Sequence, residues 1–164
     1  FDTDTKIPAE KISYALNQRL PEDIVVQESK EVPSSFHPRH CNSRKTYEYR
    51  ILNRTFRDPT KRLDTYFYHH FKSFCSIHAV VETTVRTIYA IDVEREQDVI
   101  GIRITGNGFL YNMVRIIAGT LIQAGCGMIE PEDVKEILEA KDRSMAGPTA
   151  PACGLTMIGI TFLD

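Results

Sequence analysis

The sequence predicts an α+β fold, a mainly antiparallel mixed sheet flanked by helices. Three runs in which polar and apolar residues alternate predict strands, and a short charged loop joining two of them predicts a hairpin. Two runs with apolar residues at helical spacing predict helices against this sheet. Strands and helices do not alternate strictly, so a parallel βαβ arrangement is not expected.

The first elements are a helix and two strands. Residues 8–19 predict the helix, because Pro8 suits a first helical turn and a Leu-Pro pair ends the pattern. Residues 24–26 are all β-branched and predict a short strand. Residues 47–52 predict a longer strand with both tyrosines and Ile51 on one face.

The second half of the chain predicts a hairpin, two helices and a last strand. Residues 84–92 and 98–105 alternate and are joined by residues 94–97 (EREQ), three of which are charged. Residues 107–122 are apolar almost all the way round, which predicts a buried helix that ends in the glycines of residues 125–127. A second helix begins at Pro131 with the apolar stripe Val134, Ile137 and Leu138, and residues 155–162 close the chain as a strand.

Arg115 is the most informative residue because it lies inside the apolar helix. A guanidinium keeps its charge at any relevant pH, and a buried charge without a partner costs several kcal/mol by an order-of-magnitude estimate. Arg115 is therefore expected to meet a carboxylate or a phosphate. Two interpretations remain open at this point: an anion in an active site, or a structural ion pair in the core.

The basic residues are concentrated in one segment, residues 39–62, although the whole chain carries −2. Eight lysines and arginines stand there against two acidic residues, a local charge of +6, which leaves −8 for the rest. This pattern predicts a polyanionic partner such as RNA, the alternative being an ordinary solvated surface. Tyr47 fits a base-stacking platform or a half-buried sheet position equally well, and Tyr49 is assigned to the core.

Other chemistry is weakly indicated. The four cysteines lie far apart without a CxxC pair, which predicts free thiols in the cytoplasm. The cluster His69, His70, Cys75 and His78 has the residue types of a zinc site but loose spacing, as do His37, His40 and Cys41, so no metal is predicted. The sequence contains no run of eighteen uncharged apolar residues, so no membrane span is predicted.

Six segments together resemble the TruA-type tRNA pseudouridine synthase family, in the family's order and over nearly the whole chain. They are residues 14–21 (YALNQRLP), 36–39 (FHPR), 45–50 (KTYEYR), 85–88 (VRTI), 108–120 (GFLYNMVRIIAGT) and 149–155 (TAPACGL). The resemblance implies the pseudouridine-synthase fold in a cytoplasmic, homodimeric enzyme that isomerises uridine to pseudouridine in the anticodon stem–loop of tRNA. It also implies that no metal or organic cofactor is needed.

The resemblance further implies roles for single residues. Arg115 pairs with a nucleophilic aspartate, Tyr47 stacks on the target base, and Leu155 lines the pocket. Arg39, Arg44, Lys45 and Arg50, in the basic segment, are expected to contact the RNA backbone.

The sequence departs from the family pattern in two places. The Arg-Thr-Asp-Ala-Gly motif that carries the nucleophile is absent, and neither Asp2 nor Asp4 is assigned that role. A helical insertion is missing between residues 71 and 72. We therefore expect residues 1–164 to be a truncated synthase domain without its N-terminal lobe, inactive alone. The alternative is a non-catalytic RNA-binding module.

Overall fold

The structure is a computed structural model, and it describes residues 1–67 and 85–163. The chain divides into two compact units, Phe1–Cys41 and Asn42–Asp164, which are described separately. The predicted cluster His69, His70, Cys75 and His78, and the junction between residues 71 and 72, lie outside the described residues.

The first unit contains the predicted helix in a shorter form. A 3₁₀ turn spans Ala9–Lys11 after Pro8, and the helix α1 continues over Ile12–Asn17. The strand predicted for residues 24–26 does not form. Instead the side-chain amide of Asn17 donates to the Val26 carbonyl at 2.9 Å and accepts from the Val26 N–H at 2.8 Å. One side chain thus satisfies the backbone groups that a neighbouring strand would have satisfied.

Over its described residues, the second unit is built on a five-stranded sheet around one central strand. Its strands are β1 (Ser43–Leu52), β2 (Tyr66–Phe67), β3 (Ile88–Glu96), β4 (Val99–Gly106) and β5 (Leu155–Phe162). Strand β1 pairs antiparallel with β4 along one edge and antiparallel with β5 along the other, where β2 adds a short parallel pair at the end of β1. Strand β3 pairs antiparallel with β4. The sheet is therefore mixed but mainly antiparallel, as predicted.

The β3–β4 hairpin is tighter than the sequence suggests. Glu94, Arg95 and Glu96 were expected in the loop, but they continue β3, and Glu96 pairs with Val99. Only two residues form the turn, of which Gln97 has a left-handed φ of 52°. Charged side chains are tolerated here because β3 lies at the edge of the sheet.

Alternation along β1 and β4 places the core on one face of the sheet. Tyr49 and Ile51 of β1 are buried together with Ile102 and Ile104 of β4, and the pairing register sets Tyr49 directly opposite Ile102. Glu48 on the opposite face of β1 forms an ion pair with Arg103 of β4, N to O 3.2 Å. The predicted separation of an apolar and a polar face is confirmed.

The predicted helices form as α2 (Met113–Gly125), which begins six residues later than the predicted start at residue 107, and α3 (Asp133–Ala140). Helix α2 contributes Val114 and Ala118 to the same core and ends, as predicted, before Gly127 in the left-handed conformation, φ 66°. Four of its residues are fully buried, fewer than its apolar character suggests. Leu138 of α3 was expected on the apolar stripe but is 78% exposed.

Candidate active site

Arg115 projects from the third position of α2 and is half-buried. Its Nε donates to the Ala150 carbonyl oxygen at 2.6 Å, and its Nη1 donates to Asn112 Oδ1 at 2.9 Å. Within residues 1–67 and 85–163 it pairs with no carboxylate, and its Nη2 makes no hydrogen bond. Two neutral acceptors therefore hold the guanidinium and leave its charge uncompensated by the described part of the chain. The structural ion pair, one of the two interpretations of Arg115, is not found there.

The Ala150 carbonyl, which accepts from Arg115 Nε, belongs to a loop that packs tightly against α2. Ala150 is buried, and its N–H donates back to the Arg115 carbonyl at 3.0 Å, so these two residues are joined twice. Gly147 N–H donates to Thr120 Oγ1 at 2.9 Å. A side chain at Gly119 would overlap the Pro148 carbonyl, so only glycine allows the loop to approach the helix this closely.

The side chain of Tyr49, in β1, holds the next part of the same loop. Its ring is fully buried in the core, as predicted, and its hydroxyl donates to the Pro151 carbonyl at 2.7 Å. Burial is the main cause that raises the pKa of the Tyr49 hydroxyl well above its ordinary value, with smaller contributions from Cys153 and Tyr66. The hydroxyl therefore stays protonated and remains a hydrogen-bond donor at neutral pH.

Leu155 begins β5 directly after this loop. It lies opposite Tyr49 in the pairing of β1 with β5, and it packs, half-buried, against the core cluster. Arg115 and Tyr49 hold the loop that directly precedes Leu155, so the position of this loop places Leu155 at the edge of the core.

Tyr47 lies two residues before Tyr49 on the same face of β1 and is half-buried. Its ring meets the edge of the Phe109 ring, with centroids 5.1 Å apart and planes at 85°. The pairing of β1 with β5 shifts by one residue between Thr46 and Tyr47. Tyr47 and Leu155 thus pack, partly buried, against the same core cluster, to which Ala150 of the loop held by Arg115 also belongs.

Of the four residues expected to contact RNA, the three in the second unit lie on two faces of β1. Arg39 is an exposed residue of the first unit. Lys45 is on the Tyr47 face of β1, whereas Arg44 and Arg50 are on the opposite face. Arg44 stacks over the Tyr89 ring, 4.9 Å from its centroid, and Arg50 is ion-paired with Asp64.

A cleft of about 410 Å³ opens beside the loop that precedes β5, and further residues of the basic segment line it. Arg57 and Arg62 line it together with the aromatic ring of Tyr66 and the loop residues Pro151 and Cys153. The cleft therefore combines two arginines with apolar side chains beside the loop that Tyr49 holds.

Other kinds of site are not indicated by the residues that the structure covers. Across them, no three His, Cys, Asp or Glu side chains gather where a metal ion could bind, and this includes His37, His40 and Cys41. The described cysteines Cys41, Cys126 and Cys153 form no disulfide. None of the described helices is both long and apolar enough to span a membrane.

Sequence reasoning missed three parts of this arrangement. Asn112 lies three residues before Arg115, a spacing that places two side chains on one helix face, and this signal was available in the sequence. The Ala150 carbonyl and the Tyr49 hydroxyl act across 35 and 102 residues of chain, respectively, and no local pattern indicates them.

Comparison with known proteins identifies the family of this chain. The profile of the family described as tRNA pseudouridine synthase matches residues 68–162. The tRNA pseudouridine synthase A of Thermoanaerobacter sp. (strain X514) is 45% identical over 181 residues, covering 99% of this chain and 74% of the relative. The enzyme of the same name from Bacillus subtilis (strain 168) is 42% identical, with 99% and 73% covered. The tRNA pseudouridine synthase A 2 of Clostridium tetani (strain Massachusetts / E88) is 44% identical, with 94% and 70% covered.

A match at this identity extends across almost the whole chain, from β1 through Arg115 to Leu155. The chain therefore belongs to the TruA-type tRNA pseudouridine synthase family.

Proposed function

We propose that this chain forms the larger part of an enzyme that isomerises uridine to pseudouridine in the anticodon stem–loop of tRNA. The observation that carries the proposal is the guanidinium of Arg115, held by two neutral acceptors in the family's own motif, with Nη2 unbonded in the described residues. A guanidinium held in this way is suited to receive a carboxylate bidentately. The relatives' names supply the reaction and the substrate class.

The reaction requires little besides positioned side chains. Pseudouridine is an isomer of uridine, so the bond from ribose C1′ to N1 breaks, a bond from C1′ to C5 forms, and a proton moves from C5 to N1. Atoms and electrons balance without an oxidant or reductant, and we expect no cofactor or metal. On this proposal an aspartate carboxylate bonds to ribose C1′ as the C1′–N1 bond breaks, and it leaves again when C5 of the turned uracil bonds to C1′. Arg115 keeps that aspartate ionised.

Tyr47 and Leu155 supply the surfaces for the base. A half-open tyrosine ring beside Phe109 offers a plane on which an extruded uracil can stack. Leu155, at the beginning of β5, lines the opposite side of the pocket. Both roles rest on the resemblance, and the placement of both residues around one cluster supports them.

The nucleophilic aspartate comes from a segment that is not among residues 1–164. About a quarter of each relative has no counterpart in this chain, and the nucleophile motif is absent from it. The alignment also runs over 181 positions, 17 more than this chain has residues, which supports a missing internal segment. Its location between residues 71 and 72 rests on the resemblance. On this proposal, residues 1–164 are inactive alone.

RNA binding is assigned to the basic segment, residues 39–62. Lys45 beside Tyr47 and the cleft with Arg57 and Arg62 support phosphate contacts near the pocket, with Arg39, Arg44 and Arg50 as further backbone contacts. A homodimer and a cytoplasmic location complete the proposal, and both rest on the resemblance. Sedimentation of the complete protein tests the dimer.

The deciding experiment compares the complete natural protein with residues 1–164. Each is incubated with a tRNA transcript whose uridines carry tritium at C5, and tritium release is measured together with tRNA affinity. We expect release from the complete protein and binding without release from residues 1–164. A complete protein that binds tRNA and releases no tritium would establish the non-catalytic RNA-binding module instead.

The intact mass of the natural protein is a simple companion measurement. A mass well above the 18.7 kDa of these 164 residues supports the missing segments. A natural protein of 18.7 kDa that modifies tRNA would refute the assignment of the nucleophile to another segment.

A further inference from the structure

Asn112 adopts an unusual role for a residue at the start of a helix. It occupies the N-cap position of α2, where asparagine normally accepts a hydrogen bond from the backbone N–H two or three residues later. In this structure its side chain makes no such bond, and its Oδ1 accepts from Arg115 Nη1 instead, at 2.9 Å. Its backbone is left-handed, φ 60°, a conformation that asparagine tolerates better than most residues.

The Asn112 amide and the Ala150 carbonyl together fix the orientation of the guanidinium. The carbonyl oxygen accepts from Nε, and the amide oxygen accepts from Nη1, so rotation about the end of the Arg115 side chain would break one bond or the other. Because Arg115 is half-buried rather than fully enclosed, packing alone does not fix its side chain. Both acceptors are neutral, so they restrain the cation without cancelling its charge.

We infer that Asn112 is a positioning residue for Arg115, and that the neutrality of its amide is the property that matters. It holds Nη2 and the remaining N–H of Nη1 toward the place where an incoming carboxylate binds, and it leaves the positive charge for that carboxylate. This inference rests on the proposed function, in which Arg115 pairs with the nucleophile. An aspartate at the same position would offer an acceptor of the same shape, but its carboxylate would itself neutralise the positive charge of Arg115.

Two substitutions in the complete natural protein separate positioning from a structural role. In Asn112→Asp the acceptor is kept and a competing carboxylate is added. We expect kcat to fall about 10-fold to 100-fold, the range for an interaction with a charged group, with little change in KM for tRNA or in melting temperature. Less of the positive charge then reaches the nucleophile, so the acid limb of the kcat profile moves to higher pH.

Asn112→Gly keeps the left-handed backbone and removes the acceptor. A loosened guanidinium lowers kcat in this variant too. If Asn112 only satisfied a hydrogen bond for folding, Asn112→Asp would behave as the wild type and only Asn112→Gly would melt earlier. That pair of results would overturn the inference.

The matched control is Asn107→Asp, because Asn107 Oδ1 also accepts one hydrogen bond, from the Thr87 N–H at 2.9 Å, and does not contact Arg115. It introduces the same charge on a nearby turn, and we expect normal kcat and an unmoved acid limb. An equal loss in Asn107→Asp and Asn112→Asp would show a general effect of charge and would overturn the role of Asn112.

A second readout does not depend on turnover. Hydrogen exchange of the Arg115 Nη hydrogens, followed by ¹⁵N NMR, reports how firmly Asn112 holds the guanidinium, because its Oδ1 accepts from Nη1. We expect about 10-fold faster exchange in Asn112→Gly than in the wild type, since a restraining hydrogen bond to a charged group is lost. Unchanged exchange would refute the restraint. If the wild-type protein forms no pseudouridine, the proposed function fails, and this exchange measurement still decides whether Asn112 holds Arg115.

Discussion

Replacing Arg115 by alanine in the complete natural protein tests the proposed active site most directly. The change removes the guanidinium that the structure holds between the Ala150 carbonyl and Asn112. We expect turnover to be nearly abolished while tRNA affinity changes little, because the lost interaction is made at the reacting centre rather than with the bulk of the RNA.

The magnitude of each effect follows from these hydrogen bonds. Loss of one preorganised group that stabilises charge lowers kcat by about 100-fold to 1,000-fold in other enzymes, and we expect at least that here. For stability, two hydrogen bonds from a charged donor are removed, each of which contributes about 1.5–3 kcal/mol when buried. Arg115 is only half-buried, and Asn112 is hydrated once it is released, so we expect a total at or just below the lower end of the summed range, about 2–3 kcal/mol.

The assay is tritium release from C5-labelled uridine in tRNA, measured together with thermal melting and tRNA affinity. Arg115→Lys serves as the matched variant, because an ammonium keeps the charge but cannot reproduce the planar fork that reaches two acceptors and an anion. We expect it to bind tRNA normally and to remain strongly impaired in kcat. Normal turnover in a folded Arg115→Ala protein would refute the assignment of Arg115 to the active site.

Three further predictions concern the surfaces around Arg115. Charge reversal of Arg44 and Lys45 together should flatten the salt dependence of tRNA binding, by about 0.7–0.9 log units per log unit of salt for each phosphate that the variant no longer neutralises; an unchanged slope would locate the RNA surface elsewhere. Tyr47→Ala should lose about 1–3 kcal/mol of base stacking and nearly all turnover, whereas Tyr47→Phe should keep tRNA affinity because the ring remains; Tyr47→Ala with a normal rate would make Tyr47 an ordinary sheet residue. Tyr49→Phe should lower the free energy of unfolding by about 1 kcal/mol through loss of its hydrogen bond to Pro151. The folded-state pKa of Tyr49 is raised, so its contribution to stability is present below the unfolded pKa of about 10 and is lost as pH rises above it. Urea unfolding at several alkaline pH values should therefore show a shallower loss of stability in Tyr49→Phe, and an equal loss in both proteins would contradict the buried hydroxyl.

Regular periodicity explains why the sheet was predictable. In β1 and β4 the side chains alternate between the core and the polar face, so counting every second residue along each strand is enough to place Tyr49 and Ile102 inside and Glu48 outside. The end of α2 could also be predicted from the sequence, because Gly127 adopts a left-handed conformation that most other residues avoid.

The mistaken expectations share a physical reason, which is that local preference does not supply a partner. Residues 24–26 favour a strand, but the Asn17 side chain satisfies the backbone of Val26 instead. Leu138 fits an apolar stripe, yet its side chain is 78% exposed. The hairpin turn lies at Gln97, which carries no glycine or asparagine signal, and the charged residues before it extend the edge strand.

Arg115 stands out from the amino-acid sequence alone, since a permanent charge inside an apolar helix requires an anion or strong acceptors wherever it lies. The motifs likewise indicate the family without a structure. The groups that hold the guanidinium, in contrast, are known only from the folded chain. The Ala150 carbonyl comes from a loop 35 residues later, and that loop reaches α2 because Gly119 leaves room for it. Contacts between distant segments depend on backbone approach and packing, which no local pattern encodes, so the choice of acceptors followed from the fold.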